Sequence, residues 1–337
     1  MKFFGRVACA IFLLSIFLSG EKVLTIDEPF KKPTLVKVER NKVFIIDRPN
    51  SVVHVYALDN VKEHKTICSR GDGPGECRSL NCMSLQNEKV VISGEEKLLY
   101  FNLKGRLLDE RKVPYAHTRV IPLGEKYVCR EYETRRGKTM ISAVILDSDF
   151  SSPQKLDQLI IQRPYRGKNG KRNLHLLDHY FKHDLIGPNI IVGNTQKGFH
   201  FGIFDKNGAK RYDINREYKR RPITEGEKKT HLEQIKIEFG PTVFRQSSRE
   251  TNVIFPDYYP AYELFEVHRG KIYVRLYPMI EGKQKLLALD AKGNQLAQYT
   301  VPTLGASYSF CIENSHYYYL SENPDQETWE LHAAKLS

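Results

Sequence analysis

The sequence predicts an all-β fold, a six-bladed β-propeller. Three observations lead there. Beyond residue 20, short apolar runs rich in Tyr, Phe, Val and Ile alternate with turn signals every eight to twelve residues or so, the spacing of sandwiches, barrels and propellers. One strand–turn–strand unit recurs six times. The ordinary spacing of the units is roughly 45 residues, which is enough for four short strands each.

The chain has 337 residues, 41% of them hydrophobic, and a net charge of +12, so it can build a real core and does not read as disordered. Its start, MKFFGRVACAIFLLSIFLSGEK, places Lys2 and Arg6 before an apolar run from Val7 to Leu18, followed by Ser19 and Gly20. This is the pattern of a secretory signal over residues 1–20, and the run is short for a membrane span. Leu18 or Phe17 stands where a small residue favours cleavage, so an uncleaved anchor is the alternative. Cys9 lies inside the apolar run and not at its end, which argues against lipid attachment. The expected location is secreted or periplasmic, with a single domain over 21–337, no membrane span in the mature protein, and a monomer.

The first turns of the six units are "VERNKVFIID" (38–47), "SLQNEKVVIS" (84–93), "IPLGEKYVCR" (121–130), "LIGPNIIVG" (185–193), "VHRGKIYVR" (267–275) and "IENSHYYYL" (312–320). A third strand follows each, such as "VVHVYALDN" (52–60) or "KLLALDAKGN" (285–294), and most units add a fourth, such as "LLDERKV" (107–113). The sixth unit runs out after "TWELHAAKL" (328–336), so "KVLTI" (22–26) is expected to supply its fourth strand and close the ring. Two spacings are long. One contains "QRPYRGKNGKRN" (162–173). The other, about 216–252, carries Thr224 and Glu227 as a capping box, which predicts a short helix between blades 4 and 5 with Leu232 and Ile235 docking it.

"GDGPGECRSLNC" (71–82) joins the outer strand of unit one to the inner strand of unit two, a crossing where glycine and proline permit a sharp turn. The stretch "GDGPGECRSLNCMSLQNEKVVISGEEKLLYFNLKGRLL" (71–108) resembles one repeat of the NHL-type or TolB-like six-bladed propellers of secreted bacterial proteins. It departs from that pattern at Cys77, at Leu80-Asn81 and at Ser93-Gly94, and the other crossings lack the glycine run. A phosphate loop is not expected, because Gly71, Gly73 and Gly75 lead into a strand-like segment with no Gly-Lys-Ser/Thr or GxGxxG opening a helix.

The resemblance implies that blade crossings share one face with the turns between second and third strands. That face would gather Arg70 and Arg78 beside the glycines, Arg135, Arg136 and Lys138, the cluster Arg163, Arg166, Lys168, Lys171 and Arg172, and Lys219 to Arg221. Such a face attracts anions. Glu95, Glu96, Glu131 and Glu133 are available to neutralise part of it, and a solvated charged surface is the plainer reading.

The predicted ligand-binding set is Arg70, Arg78, Arg135, Arg136, Arg166, Lys168 and Arg172, with a protein or acidic polysaccharide as partner. Nucleic acid is not expected behind an export signal, although Tyr165, Tyr180, Tyr258 and Tyr259 are of the type that stacks bases.

Cys68, Cys77 and Cys82 lack the spacing of a zinc set, and a disulfide between two of them competes with burial as free thiols. The eleven histidines are scattered. His175, His179 and His183 would share a face only on a helix, and the segment reads as an inner strand with flanking coil. His179 with Asp178 and Asp184, and Asp257 in "FPDYYPAYE", are candidate axial groups. No nucleophile elbow or triad stands out. The expectation is a recognition scaffold without a cofactor. The alternative is a Ca²⁺- or Zn²⁺-dependent hydrolase or lyase of the six-bladed type, which would need several His, Asp, Glu or Asn side chains converging on the axis.

Overall fold

The computed structural model describes residues 21–26, 30, 33–60, 62–115, 117–135, 138–162, 171–177, 179–239, 251–277, 282–303, 309–323 and 328–336, the side chains of 162, 172 and 234–239 excepted. It is a six-bladed β-propeller. Blade 1 is β2 (Pro33–Glu39), β3 (Lys42–Asp47), β4 (Val52–Ala57) and β5 (His64–Ile67). Blade 2 is β6 (Leu80–Gln86), β7 (Lys89–Gly94), β8 (Lys97–Asn102) and β9 (Leu107–Lys112). Blade 3 is β10 (His117–Leu123), β11 (Lys126–Arg135), β12 (Lys138–Leu146) and β13 (Gln154–Gln162). Blade 4 is β15 (Phe181–Ile186), β16 (Asn189–Asn194), β17 (Phe199–Phe204) and β18 (Lys210–Arg216). Blade 5 is β20 (Leu264–His268), β21 (Lys271–Arg275), β22 (Lys283–Leu289) and β23 (Gln295–Pro302).

Blade 6 takes β24 (Cys311–Glu313), β25 (His316–Asn323) and β26 (Thr328–Lys335) from the end of the chain, and β1 (Glu21–Ile26) from its start. β1 pairs antiparallel with β26, Ile26 opposite Trp329, and buries Leu24 and Ile26. The ring closes between first and last segments, as the sequence predicts.

Burial explains the composition of the strands. The second strand of each blade lies between two neighbours in its own sheet and between the adjacent blades. β3 is therefore an unbroken apolar run up to its Asp47 end, with five consecutive buried residues. The fourth strand is the blade's outer edge. In β9, "LLDERK", no residue is fully buried, and its alternating charges blunt an edge that would otherwise invite pairing. Apolar residues pack from blade to blade in five clusters. The largest joins blades 5, 6 and 1 and includes Val36, Leu286, Phe310, Tyr317 and Leu331.

The six first turns are two-residue hairpins. Four place both loop residues at positive φ: Arg40-Asn41, Asn87-Glu88, Arg269-Gly270 and Asn314-Ser315. That is the backbone of a type I′ turn, whose twist matches the strands. In the other two a glycine, Gly124 or Gly187, takes the positive φ at the first loop position. The shared turn geometry is what makes the six units look alike in sequence.

The two long insertions are joined. β14 (Arg172–His175), from the insertion after blade 3, pairs in parallel with β19 (Thr251–Ile254), from the insertion after blade 4. The second insertion also carries α1 (Glu225–Phe239). Its capping box forms as predicted: Thr224 N–H and Oγ1 donate to Glu227 Oε2 at 2.9 Å, and Glu227 N–H donates to Thr224 Oγ1 at 3.3 Å. Leu232 is partly buried, Ile235 lies outside the described side chains, and among the described side chains of the helix His231 is fully buried, its Nε2 3.2 Å from Tyr259 Oη.

The glycine crossing folds around its own carboxylate. Glu76 Oε2 accepts from Gly73 N–H at 2.9 Å, and Glu110 Oε2 accepts from Gly75 N–H at 2.9 Å. A Cβ at Gly71 would stand 2.0 Å from Glu76 Oε2 and would push that carboxylate off Gly73 N–H. Donors that a phosphate loop would offer to a ligand are used within the protein. All five described cysteines are buried and free, so of the two alternatives for Cys68, Cys77 and Cys82 it is burial as free thiols that holds.

Candidate site at the axial funnel

The inner strands β2, β6, β10, β15, β20 and β24 surround the propeller axis. Between them lies a cavity of about 720 Å³. Each inner strand is entered from a blade crossing, so the N-terminal ends of these strands face the crossing side. The turn carrying Arg48 and the insertion residues His175, Leu176 and His231 border the cavity at that side.

Across the middle runs a buried ion bridge. Lys37 Nζ of blade 1 lies 2.7 Å from Glu266 Oε2 of blade 5, and Lys182 Nζ of blade 4 lies 2.7 Å from Glu266 Oε1. Lys182 also donates to Phe265 O at 2.9 Å and approaches Asp184 at 3.3 Å. Burial opposes ionisation of Glu266, but the two ammonium groups outweigh it and hold the carboxyl down at about 2. Nearby, Arg275 is only 1% exposed and grips Glu263 with two hydrogen bonds of 2.8 Å.

The cations nearer the crossing end are differently placed. Arg48 and Arg119 line the cavity, Arg130 lies behind them against Phe181 of blade 4, and none of the three has a carboxylate partner among the described residues. Arg48 Nη2 donates to Asn81 O at 2.9 Å. Arg130 donates to Phe181 O and, at 3.1 Å, to Tyr132 Oη, while its buried Nε has no partner among the described residues. Burial first, and then the Arg119 guanidinium, lower the pKa of both Arg48 and Arg130.

Arg119 sits on a β-bulge in β10, where the register with β11 slips between Thr118 and Ile121. Its φ of 52° is in the left-handed region, which costs a non-glycine residue on the order of 1 kcal/mol or more. His183 Nε2 lies 2.8 Å from the Arg119 carbonyl oxygen. Burial, aided by Arg130, pushes the His183 pKa down to about 3, so the ring is neutral and donates this hydrogen bond.

The residues singled out in the sequence divide among several places. Arg70 and Arg78 are exposed at the blade 1–2 crossing, and Arg78 is paired with Asp72 at 2.6 Å. Arg135 is exposed and paired with Glu133. Arg172 opens β14, and its backbone pairs with Thr251. Arg136, Arg166 and Lys168 lie outside the described residues. Asp257 is exposed and does not line the cavity. His175, His179 and His183 fall on β14, on the following loop and on β15, so no helix face unites them; Asp178 lies outside the described residues. Among the described residues no three His, Cys, Asp or Glu side chains come together as a metal site. Tyr258 is exposed beneath Arg220, whose guanidinium lies 4.8 Å from the ring centre, whereas Tyr259 is buried and Tyr180 lines the cavity.

Arg48, Arg119, Arg130 and Lys182 do not stand out in the sequence. A signal existed: "HTRVIPL" and "FKHDLI" place a cation inside a short inner strand, where a side chain points either into a blade interface or to the axis.

A family model described as a 6-bladed beta-propeller matches residues 25–160. No curated protein matches the chain. Among solved structures, an exported protein of Bacteroides fragilis is 15% identical, with 94% of each chain covered and a TM-score of 0.49. A gluconolactonase of Xanthomonas campestris is 11% identical, covering 94% of this chain and 89% of its own, with a TM-score of 0.48. Regucalcin, a calcium-binding protein of Agrobacterium tumefaciens, is 11% identical, covering 96% and 97%, with a TM-score of 0.45. These are likenesses of fold, and nothing about ligand or reaction is carried over from them.

Proposed function

We propose that the protein is an exported recognition propeller that binds an anionic polymer or an acidic partner through its crossing face and the mouth of its funnel. The observation that carries this reading is the pair Arg48 and Arg119 lining the crossing end of the axial cavity, with Arg130 behind them, three guanidiniums without a carboxylate partner among the described residues. The signal-like residues 1–20 support export. Exposed Arg70 and Arg135, together with Arg136, Arg166, Lys168 and Arg172, which the sequence alone assigns to this face, are taken to supply long-range attraction, with Arg78 contributing least because Asp72 already neutralises it.

Polyanion binding as a function of salt tests this. Polygalacturonate is expected to bind the purified protein and to release steeply between about 50 and 300 mM NaCl, as screening shortens the reach of the field to about a nanometre or less. Neutral dextran is expected not to bind. Replacing Arg166, Lys168 and Lys171 by Ala should weaken binding of the polymer and flatten its salt dependence. Failure of polygalacturonate, heparin and polyphosphate alike to bind at low salt would refute the reading.

A further inference from the structure

We infer that the funnel mouth is an end-group site: it takes the terminal, carboxylate-bearing residue of an acidic oligosaccharide, seats the carboxylate on Arg48 and Arg119, with Arg130 adding its charge from behind, and does not thread a chain. The inference rests on the anion-recognition reading above and deepens it.

Preorganisation is the first support. Two of the three guanidiniums are tied to backbone carbonyls, Arg48 to Asn81 and Arg130 to Phe181, which leaves further N–H groups of each available and fixes where they point. The third is carried by a bulge whose carbonyl is pinned from the next blade by neutral His183. Bulges re-aim side chains at functional sites, and backbone held at an unfavourable φ persists where the surroundings enforce it. Arginine forks suit a planar carboxylate, and a carboxylate here would relieve repulsion that nothing else described relieves.

The floor is the second support. The Lys37–Glu266–Lys182 bridge links inner strands of blades 1, 5 and 4 across the axis, with both ammonium–carboxylate distances at 2.7 Å. A polymer passing through would have to break it and strand buried charges, at a cost far above that of an exposed pair. A ligand seated on Arg48 and Arg119 therefore enters from their own side of the bridge, by a chain terminus.

The walls are the third. The cavity of about 720 Å³ runs along the axis from Thr34 and Arg48 to Glu39, Gln86 and His268 at the far ends of the inner strands, and the part on the Arg48 and Arg119 side of the bridge is the mouth. Hydroxyls of Thr34 and Ser309 and the thiol of Cys82 alternate there with Leu35, Met83 and Leu264, a lining that offers hydrogen bonds to hydroxyls and apolar contact to the C–H face of a sugar ring.

The test is calorimetric titration with trigalacturonate and with long polygalacturonate, for the wild type and for Arg119→Gln, Arg48→Gln, Arg119→Lys and, on the opposite face, Lys292→Gln. Thermal melting checks that each variant is folded. The trimer is expected to bind one to one. Arg119→Gln and Arg48→Gln should weaken it at least tenfold, Arg119→Lys should recover only part of the loss, and Lys292→Gln should leave it unchanged. The number of protein molecules bound per polymer chain should not rise with chain length.

If the trimer and polymer bind but the two arginine variants are unaffected, or if stoichiometry grows with chain length, the end-group site is wrong and recognition lies on the outer face. Tighter binding of hexaglutamate than of trigalacturonate would overturn the assignment to a sugar. If no anionic probe binds at all, the end-group site and the recognition reading fall together.

Discussion

His183 shows how one residue ties the fold to the site. Its ring is almost fully buried beside Arg130 and Lys182, and a proton there is so unfavourable that the pKa falls to about 3. The sign of the consequence is fixed: a base whose folded pKa lies below its unfolded value of 6.5 destabilises the fold as pH drops through that interval. His117, His200, His268 and His332 are lowered by burial in the same direction, so acid lability is shared.

His183→Gln keeps an N–H for the Arg119 carbonyl and removes the titration. Relative to wild type, the variant should gain stability as pH falls from 6.5 towards 3, while remaining equal or somewhat less stable at pH 7.5. Urea denaturation at several pH values measures it; parallel pH profiles for the two proteins would show that His183 does not titrate on unfolding. Glu266 acts lower on the scale. Its stabilisation is complete above about 4.5, its unfolded value, and is lost only as pH falls towards 2. Glu266→Gln, which strands Lys37 and Lys182, should cost about 3–5 kcal/mol at neutral pH by the same denaturation measurement.

At the scale of elements, α1 and β1 were legible before any coordinates because each has a local chemical signature. The Thr224–Glu227 box is a fixed-spacing pattern with a single geometric meaning, and it forms. Thr224→Ala should lower stability of the helix by about 1 kcal/mol, read as earlier proteolysis within the insertion rather than as global unfolding. The burial of His231 was not legible: it turns inward where Tyr259 offers its hydroxyl, and that partner lies 28 residues away. The β14–β19 pair was invisible for the same reason: four-residue strands from two separate insertions carry no periodicity until each has the other.

The whole molecule explains why the fold was readable and the site was not. Blade identity repeats six times, so every hairpin turn adds evidence for the same architecture. The funnel has no repeat. Arg48 comes from a loop between second and third strands, Arg119 from a bulge, Arg130 from a second strand and Lys182 from a first strand, and only the circular arrangement brings them together.

That arrangement depends on closure. Blade 6 would otherwise lack its edge strand, and Trp329 and Leu331, buried in the cluster that joins blades 5, 6 and 1, would lose cover from Leu24 and Ile26. Deleting residues 21–26 removes two buried aliphatic side chains, worth about 1.5–3 kcal/mol each, together with a row of strand hydrogen bonds. The melting temperature should fall by several degrees. Because blades 5, 6 and 1 share one cluster, the loss should reach Cys311 and Ser309, whose Sγ and Oγ accept from the backbone N–H groups of Val38 and Val36 at 3.3 and 3.1 Å. Hydrogen exchange at those two amides should therefore quicken in the deletion variant, while the amides of β11 and β16 keep their protection. Uniform quickening around the ring would mean instead that the propeller opens as one unit, with the seam no weaker than any other joint.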